Sequence, residues 1–338
     1  MGRGRPSRVS ELRMLTVYDA AAGVLIPRDD PLGINNGSVW IDLLNPTKEE
    51  DRVVERALGI AVPTREEMAE IEASSRLYQE GGAHYMTAVI PFQPEAPNEP
   101  LVSTPVTFVL AGNRLVTVRY AEPRGIAIFL SRVKKGDVPC MSGVAVLVGL
   151  LEAIVDREAD RVERIQAEVD KLSQSIFGVK GGERTRALRF DVSIRAIGRE
   201  GEVTSRSRES LLTLGRLLTY LGHVMSERGD DKPLRARVKT AQRDVQSLAD
   251  HIGYLSAKIT FLLDATLGMI NNEQNSIIKI FSVLAVALMP PTLVGTIYGM
   301  NFEHMPEIHW AFGYPMALGL MVVSAVIPWL YFKRKGWL

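Results

Sequence analysis

Two apolar runs near the C-terminus constrain this chain more than any other feature. Ile277 to Tyr298 is a stretch of 22 residues with one charge, Lys279, near its start. At ~1.5 Å per residue it reaches ~33 Å as a helix, enough to cross a bilayer core. Pro315 to Phe332 adds 18 residues with no charge, at the short end of the same range. Trp310, Tyr314, Trp329, Tyr331 and Trp337 lie near its two ends, where aromatic belts form at a membrane–water boundary. Only 16 residues separate the runs, a spacing that suits a membrane hairpin better than a pair of buried core helices.

Charge orients such a hairpin. The stretch Gly299–Tyr314 has no Lys or Arg and carries Glu303 and Glu307, whereas Lys333-Arg334-Lys335 follows the second run. The cytoplasmic bias of basic residues predicts both termini inside and the short loop outside. Residues 277–298 and 315–332 are then the two spans, 299–314 a periplasmic loop and 333–338 a basic cytoplasmic tail. The N-terminus, Met-Gly-Arg-Gly-Arg-Pro-Ser, has no apolar region of a secretory signal. Pro6 stands where a myristoylation motif needs Ser or Thr.

Composition removes several function classes. With 40 Lys+Arg against 39 Asp+Glu the net charge is +1, which argues against a nucleic-acid partner. The single cysteine, Cys140, forbids an intramolecular disulfide framework and reads as a small buried hydrophobe. There is no G-x-x-x-x-G-K-[ST] loop, and the five histidines, at 84, 223, 251, 304 and 309, form no H-E-x-x-H pair. His304 and His309, with Glu303 and Glu307, match no usual zinc spacing and read as solvated loop residues. Nothing points to an enzyme.

The expected architecture is an α+β membrane protein with a cytoplasmic α/β domain, a long helical stalk and two C-terminal spans. Over residues 1–140, Met14–Tyr18, Val39–Leu43, Tyr85–Pro91, Val106–Leu110 and Arg114–Arg119 read as strands of a sheet with five or more members. Pro46-Thr47-Lys48-Glu49-Glu50 and Pro63-Thr64-Arg65-Glu66-Glu67 each open a helix, and Pro91–Pro100 is a loop. Residues 141–276 read as long helices. Val155, Ala159, Val162, Ile165, Val169, Leu172 and Ile176 recur in steps of 3 and 4. Gly181-Gly182 and Gly229–Pro233 break the pattern, and a third helix from about Leu234 meets no strong breaker before Pro290. It is predicted to run into the first span.

Alternating steps of 4 and 3 from Asp264 reach Gly268, Asn271, Asn275, Ile278, Ser282, Ala285, Met289, Thr292, Thr296 and Gly299. A 3.5-residue period keeps such positions on one seam of a supercoiled helix. The seam gathers amides, hydroxyls and small residues, which lipid cannot satisfy. On pattern alone two readings stand: helix–helix packing through small residues, or a pore lining with Met289 as a flexible constriction and Asn275 as a hydrophilic ring. Two spans cannot enclose a pore, so the second reading requires several subunits.

Tyr298-Gly299-Met300-Asn301, followed by Phe302-Glu303-His304-Met305-Pro306-Glu307, resembles the signature of the CorA family of divalent-cation transporters, bacterial type. The resemblance extends through Asn275–Lys279, Met289–Val294, Tyr331–Lys335, Val39–Leu43 and Asp51–Ala73, essentially the whole chain. It implies a homopentamer in the inner membrane with a cytoplasmic funnel, an α/β/α N-terminal domain and one pore helix per chain. It also implies that Gly299, Met300 and Asn301 form the outer mouth, where Asn301 meets hydrated Mg²⁺. The ion path would run past Thr296, Thr292, Met289, Ser282 and Ile278 to Asn275, Asn271 and Asp264. Mg²⁺ is implied both as cargo and as a cytoplasmic regulator bridging carboxylates, for which Asp250 and Asp264 have family-like spacing and Asp244 does not. No covalently bound cofactor is expected; Co²⁺ and Ni²⁺ are further cargoes. The related ZntB zinc transporters have Ile in place of Met300, and a non-conducting membrane-anchored sensor is the alternative from a different class.

Overall fold

In a computed structural model of the chain, the described residues are 15–21, 24–28, 30, 33–35, 37–94, 100–135, 141–178, 183–300, 305–306 and 310–337. Cys140, Gly181, Gly182, Asn301, Glu303, His304, Glu307 and His309 therefore lie outside them, as does Met14 of the first expected strand. The chain divides into two compact units, Met1–Val179 with Arg195–Phe261 and Lys180–Ile194 with Leu262–Leu338.

The first unit is built on a seven-stranded mixed sheet. Its strands are β1 (Leu15–Ala21), β2 (Val24–Pro27), β3 (Ser38–Leu44), β4 (Leu77–Glu80), β5 (Ala83–Phe92), β6 (Val102–Ala111) and β7 (Arg114–Arg119), in the order β2-β1-β3-β7-β6-β5-β4. The β3–β7 pair is parallel, with Asp42 opposite Thr117, and the other pairs are antiparallel. β3 is buried along its whole length, as befits a strand covered on both faces.

Alternation along β3 sorts the two layers. Ile41 and Leu43 join Val17, Val116 and Val118 in a core closed by Val54 of α1 (Lys48–Leu58) and Met68 of α2 (Arg65–Ala69). Both helices start at the expected places because Thr47 and Thr64 form capping boxes with Glu50 and Glu67. The opposite face presents Trp40, which meets Phe129 of α4 (Arg124–Lys134) edge-on at 5.9 Å. α5 (Gly143–Phe177) starts hard against β7, where a Cβ on Gly143 would lie 2.5 Å from the Leu115 nitrogen. The result is a three-layer α/β/α domain.

Between these layers Asp42 and Arg119 form a bidentate pair, at 3.0 and 2.7 Å, with 5% and 6% of their side chains exposed. Thr117 donates to Asp42 at 2.6 Å and accepts from the Trp40 indole at 3.0 Å. Burial works against the Arg119 charge, and Asp42 more than offsets it, so the Arg119 pKa ends above its ordinary value. Tyr18 stacks on Trp40 at 4.6 Å; burial, then the Asp42 charge, push its phenol up to about 12. The folded state therefore holds that proton where the unfolded chain, titrating near 10, has lost it. Stability is expected to fall as pH rises from 10 to 12, and Tyr18→Phe to remove part of that fall in alkaline unfolding curves.

The expected strands are all present, and the structure adds two that the sequence reading did not name. β2 and β4 are four-residue edge strands, too short for an alternation to register. The β4–β5 hairpin turns on Gly81-Gly82, both at positive φ, the geometry of a two-residue turn that favours glycine. β4 covers β5 only as far as Met86. Beyond it the Val89 amide donates to Thr213 Oγ1 of α6 (Glu183–Glu227) at 3.0 Å.

α7 runs from Lys232 to Tyr298, 67 residues, through Pro290 and Pro291. It begins two residues before the expected Leu234 and passes into the apolar run without a break. In the first unit α5 and α7 run parallel, tied by Arg237–Glu152, His251–Gln166 and Lys258–Asp170. Along α7, Val238, Ala241, Val245, Ile252, Leu255, Ile259 and Leu262 are buried. On α6 the series is Thr204, Ser207, Leu211, Leu214, Leu218, Leu221 and Met225. Both keep the 3.5-residue step of coiled-coil packing. In the second unit α8 spans Gly313–Arg334, and α7 and α8 are the two described helices long and apolar enough to cross a membrane.

Candidate functional site

The polar seam and the packing face of α7 are separate. α8 approaches α7 at Gly295, where a Cβ would stand 3.2 Å from Met321 Cε. Val283 is buried, and Ala287, Pro290, Val294 and Tyr298 are half-buried; these positions fall on one side of the helix. Ser282, Met289, Thr292 and Thr296 are all exposed. At ~100° per residue they centre roughly 180° from the α8-facing side. Asp264, Asn271, Asn275 and Ile278 continue the same seam and are likewise exposed. Helix packing against α8 therefore does not account for the polar residues.

The hydroxyls have a defined polarity. Thr292 Oγ1 donates to the Leu288 carbonyl at 2.8 Å and Thr296 Oγ1 to the Thr292 carbonyl at 2.7 Å. Each hydroxyl proton is thus spent inside the helix, leaving lone pairs that accept hydrogen bonds from water. Waters around a cation point their hydrogens outward, so such a seam suits a hydrated cation. Pro290 and Pro291 lack the amides that would bond the carbonyls of Val286 and Ala287, which weakens the helix in mid-span.

At its C-terminal end α7 stops at Tyr298, and the Gly299 amide donates to the Gly295 carbonyl at 3.0 Å. A Cβ on Gly299 would lie 3.0 Å from that same oxygen, so the turn has little room for a side chain. Met300 donates to the Ile297 carbonyl at 3.2 Å and is 44% exposed. At the other end, Lys279 lies 5.9 Å from the Trp337 ring and Lys333 4.8 Å from Trp329, a basic and aromatic cluster fitting a headgroup layer.

The family model described as CorA-like Mg²⁺ transporter protein matches residues 35–334. The magnesium transport protein CorA of Haemophilus influenzae is 35% identical over 303 residues, 90% of this chain and 93% of that one. This chain belongs to the CorA family. The complete structure of the CorA magnesium transporter from Methanocaldococcus jannaschii shares the fold with a TM-score of 0.70 at 19% identity, covering 96% of this chain and 99% of that one. The ZntB cytoplasmic domain from Vibrio parahaemolyticus gives a TM-score of 0.57 at 10% identity, covering 76% of this chain and 98% of that one. CorA-family membership makes the α/β/α domain, long helices and two apolar helices one architecture.

Asp250 and Asp264, the carboxylates with family-like spacing, stand apart on α7. Asp250 accepts from Gln246 at 3.0 Å and lines the groove between α6 and α7. Asp264 is exposed and stands 14 residues further along α7. Among the described residues no three His, Cys, Asp or Glu side chains gather to hold a metal. The sequence reading missed the orientation of α8: no residue pattern in the second span identifies which face of α7 it covers.

Proposed function

We propose that this chain conducts Mg²⁺ into the cytoplasm as a homopentamer of the inner membrane, with Co²⁺ and Ni²⁺ as further cargoes. The supporting observation is the exposed seam on the side of α7 opposite α8. Copies arranged about an axis would turn Thr296, Thr292, Met289, Ser282, Ile278, Asn275, Asn271 and Asp264 toward one another, with Gly299, Met300 and Asn301 at the outer mouth. Mg²⁺ dehydrates reluctantly and keeps several waters; neutral oxygens bind those waters loosely enough to release them. The membrane potential drives the flow, since ~100 mV is worth ~4.6 kcal/mol for a divalent ion, roughly a thousandfold gradient. Cytoplasmic Mg²⁺ closes the path by bridging Asp250 and Asp264 between subunits. Both termini are cytoplasmic.

Flux into vesicles holding the full chain tests this. Mg²⁺ entry is expected to follow an inside-negative potential and to need no proton gradient. Proton-dependent Zn²⁺ entry without Mg²⁺ entry would establish a ZntB-type transporter, and no flux at all a non-conducting sensor.

The lining has its own test. In a Cys140→Ala background, a cationic thiol reagent is expected to cut uptake about tenfold in Thr292→Cys and to leave Val294→Cys near its starting rate. Equal sensitivity at the two positions would remove the seam from the path.

A further inference from the structure

The first unit contains a cavity of about 100 Å³ that the ion path does not use. It lies between the end of β5, the first turn of α4 and the middle of α5. Four guanidinium groups line it, Arg124, Arg157, Arg161 and Arg164, against one carboxylate, Glu158. Arg157 pairs with Asp160 at 3.2 Å. Arg161 pairs with Glu158 Oε1 and donates to the Pro91 carbonyl at 3.1 Å. Among the described residues neither Arg124 nor Arg164 has a carboxylate partner. α4 also begins here behind Pro123, with no side-chain cap and no acidic residue in its first turn, so its leading amides add to an electropositive wall.

Glu158 narrows the chemistry. Its side chain is 1% exposed, and Oε1 is taken by Arg161 and by Ser210 Oγ at 3.3 Å. Oε2 is shielded from solvent and makes no hydrogen bond. Burial, opposed by Arg161, pushes the carboxyl pKa up. An orphaned oxygen of this kind costs free energy until a donor reaches it, and Glu158 lines the cavity from which such a donor can come. An occupant must therefore accept hydrogen bonds from arginines and amides while donating one to Glu158. Sulfate and chloride only accept. A protonated oxyanion does both.

We propose that this cavity binds a hydrogenphosphate group, its anionic oxygens held by Arg124, Arg164 and the α4 amides, its P–OH donating to Glu158. The space is ample for one tetrahedral oxyanion. The group is either free inorganic phosphate or the phosphate of a monoester whose remainder projects outward.

Calorimetric titration of the detergent-solubilised full chain at neutral pH with inorganic phosphate, glycerol 3-phosphate and sulfate tests the site. Saturable binding of inorganic phosphate or of the monoester is expected, the tighter of the two naming the source, with sulfate at least about tenfold weaker because its contact with Glu158 lacks a proton. Arg124→Ala and Arg164→Ala, both at exposed positions, are each expected to weaken binding about tenfold without shifting the melting temperature of the free protein. Glu158→Gln supplies an amide donor and is expected to raise sulfate affinity to that of phosphate. Should that variant fail to fold, the wild-type phosphate-to-sulfate ratio and the arginine variants still decide. No saturable binding of either phosphate, equal binding of sulfate, or unchanged affinity in the Arg124→Ala, Arg164→Ala double variant would overturn the proposal.

Discussion

Replacing Asn301 by Ala is expected to reduce Mg²⁺ uptake to background while the oligomer still assembles in the membrane. Asn301 follows α7 by three residues in sequence, two after Gly299. Under the proposed reading its side-chain oxygen would accept hydrogen bonds from water on the ion, and subunit symmetry would repeat it about the axis. A polar group presented several times at one depth selects a hydrated ion by geometry, with no net charge to trap it. The competing role is a turn cap, which Asn commonly fills. Asp also caps turns, so a capping role predicts near-normal uptake in Asn301→Asp. The ion-capture role predicts altered selectivity in Asn301→Asp, since a ring of carboxylates replaces neutral amides, and loss of uptake in Asn301→Ala. The measurement is isotope or dye flux against expression and oligomer size. Wild-type uptake by a well-expressed Asn301→Ala protein would end the assignment.

Much of this fold was legible because its signals are local. The capping boxes at Thr47 and Thr64 place α1 and α2 within a residue of expectation. The strand Val39–Leu43, apolar but for Asp42, is the centre of β3. α7 stays helical across the stalk and the membrane run because nothing before Pro290 competes with helix, and the prolines sit where the helix still continues. What stayed hidden depends on contacts distant in sequence. β2 and β4 exist because a neighbouring strand offers them an edge. α4 carries few marks of a helix start, since Pro123 supplies no side-chain cap. For the seam, residue types alone left packing and pore lining open; the position of α8 excludes only that α8 itself covers it. The Glu158 cavity needs three segments that lie far apart in the chain, and no motif announces it.

The buried Asp42–Arg119 pair carries the largest stability effect. Asp42→Ala is expected to destabilise the fold by about 3–5 kcal/mol, because it strands a guanidinium that is 6% exposed in a low-dielectric layer. The loss propagates, since Thr117 gives up its 2.6 Å acceptor while the Trp40 indole remains on its other side. For a unit of this size that amounts to roughly 6–20 °C in melting temperature, measurable by thermal unfolding of the solubilised chain. Arg119→Met alone should cost a similar amount by leaving the Asp42 carboxylate unpaired. The double variant Asp42→Leu, Arg119→Met, set against Asp42→Leu and Arg119→Met alone, is the informative one. Desolvating two charges costs much of what their attraction returns, so an apolar pair of similar volume is expected to recover most of the stability. If the double variant were as unstable as the sum of the singles, the two side chains would be acting through separate partners, the Ala121 carbonyl for Arg119 and Thr117 for Asp42, and the layer would owe little to the ion pair itself.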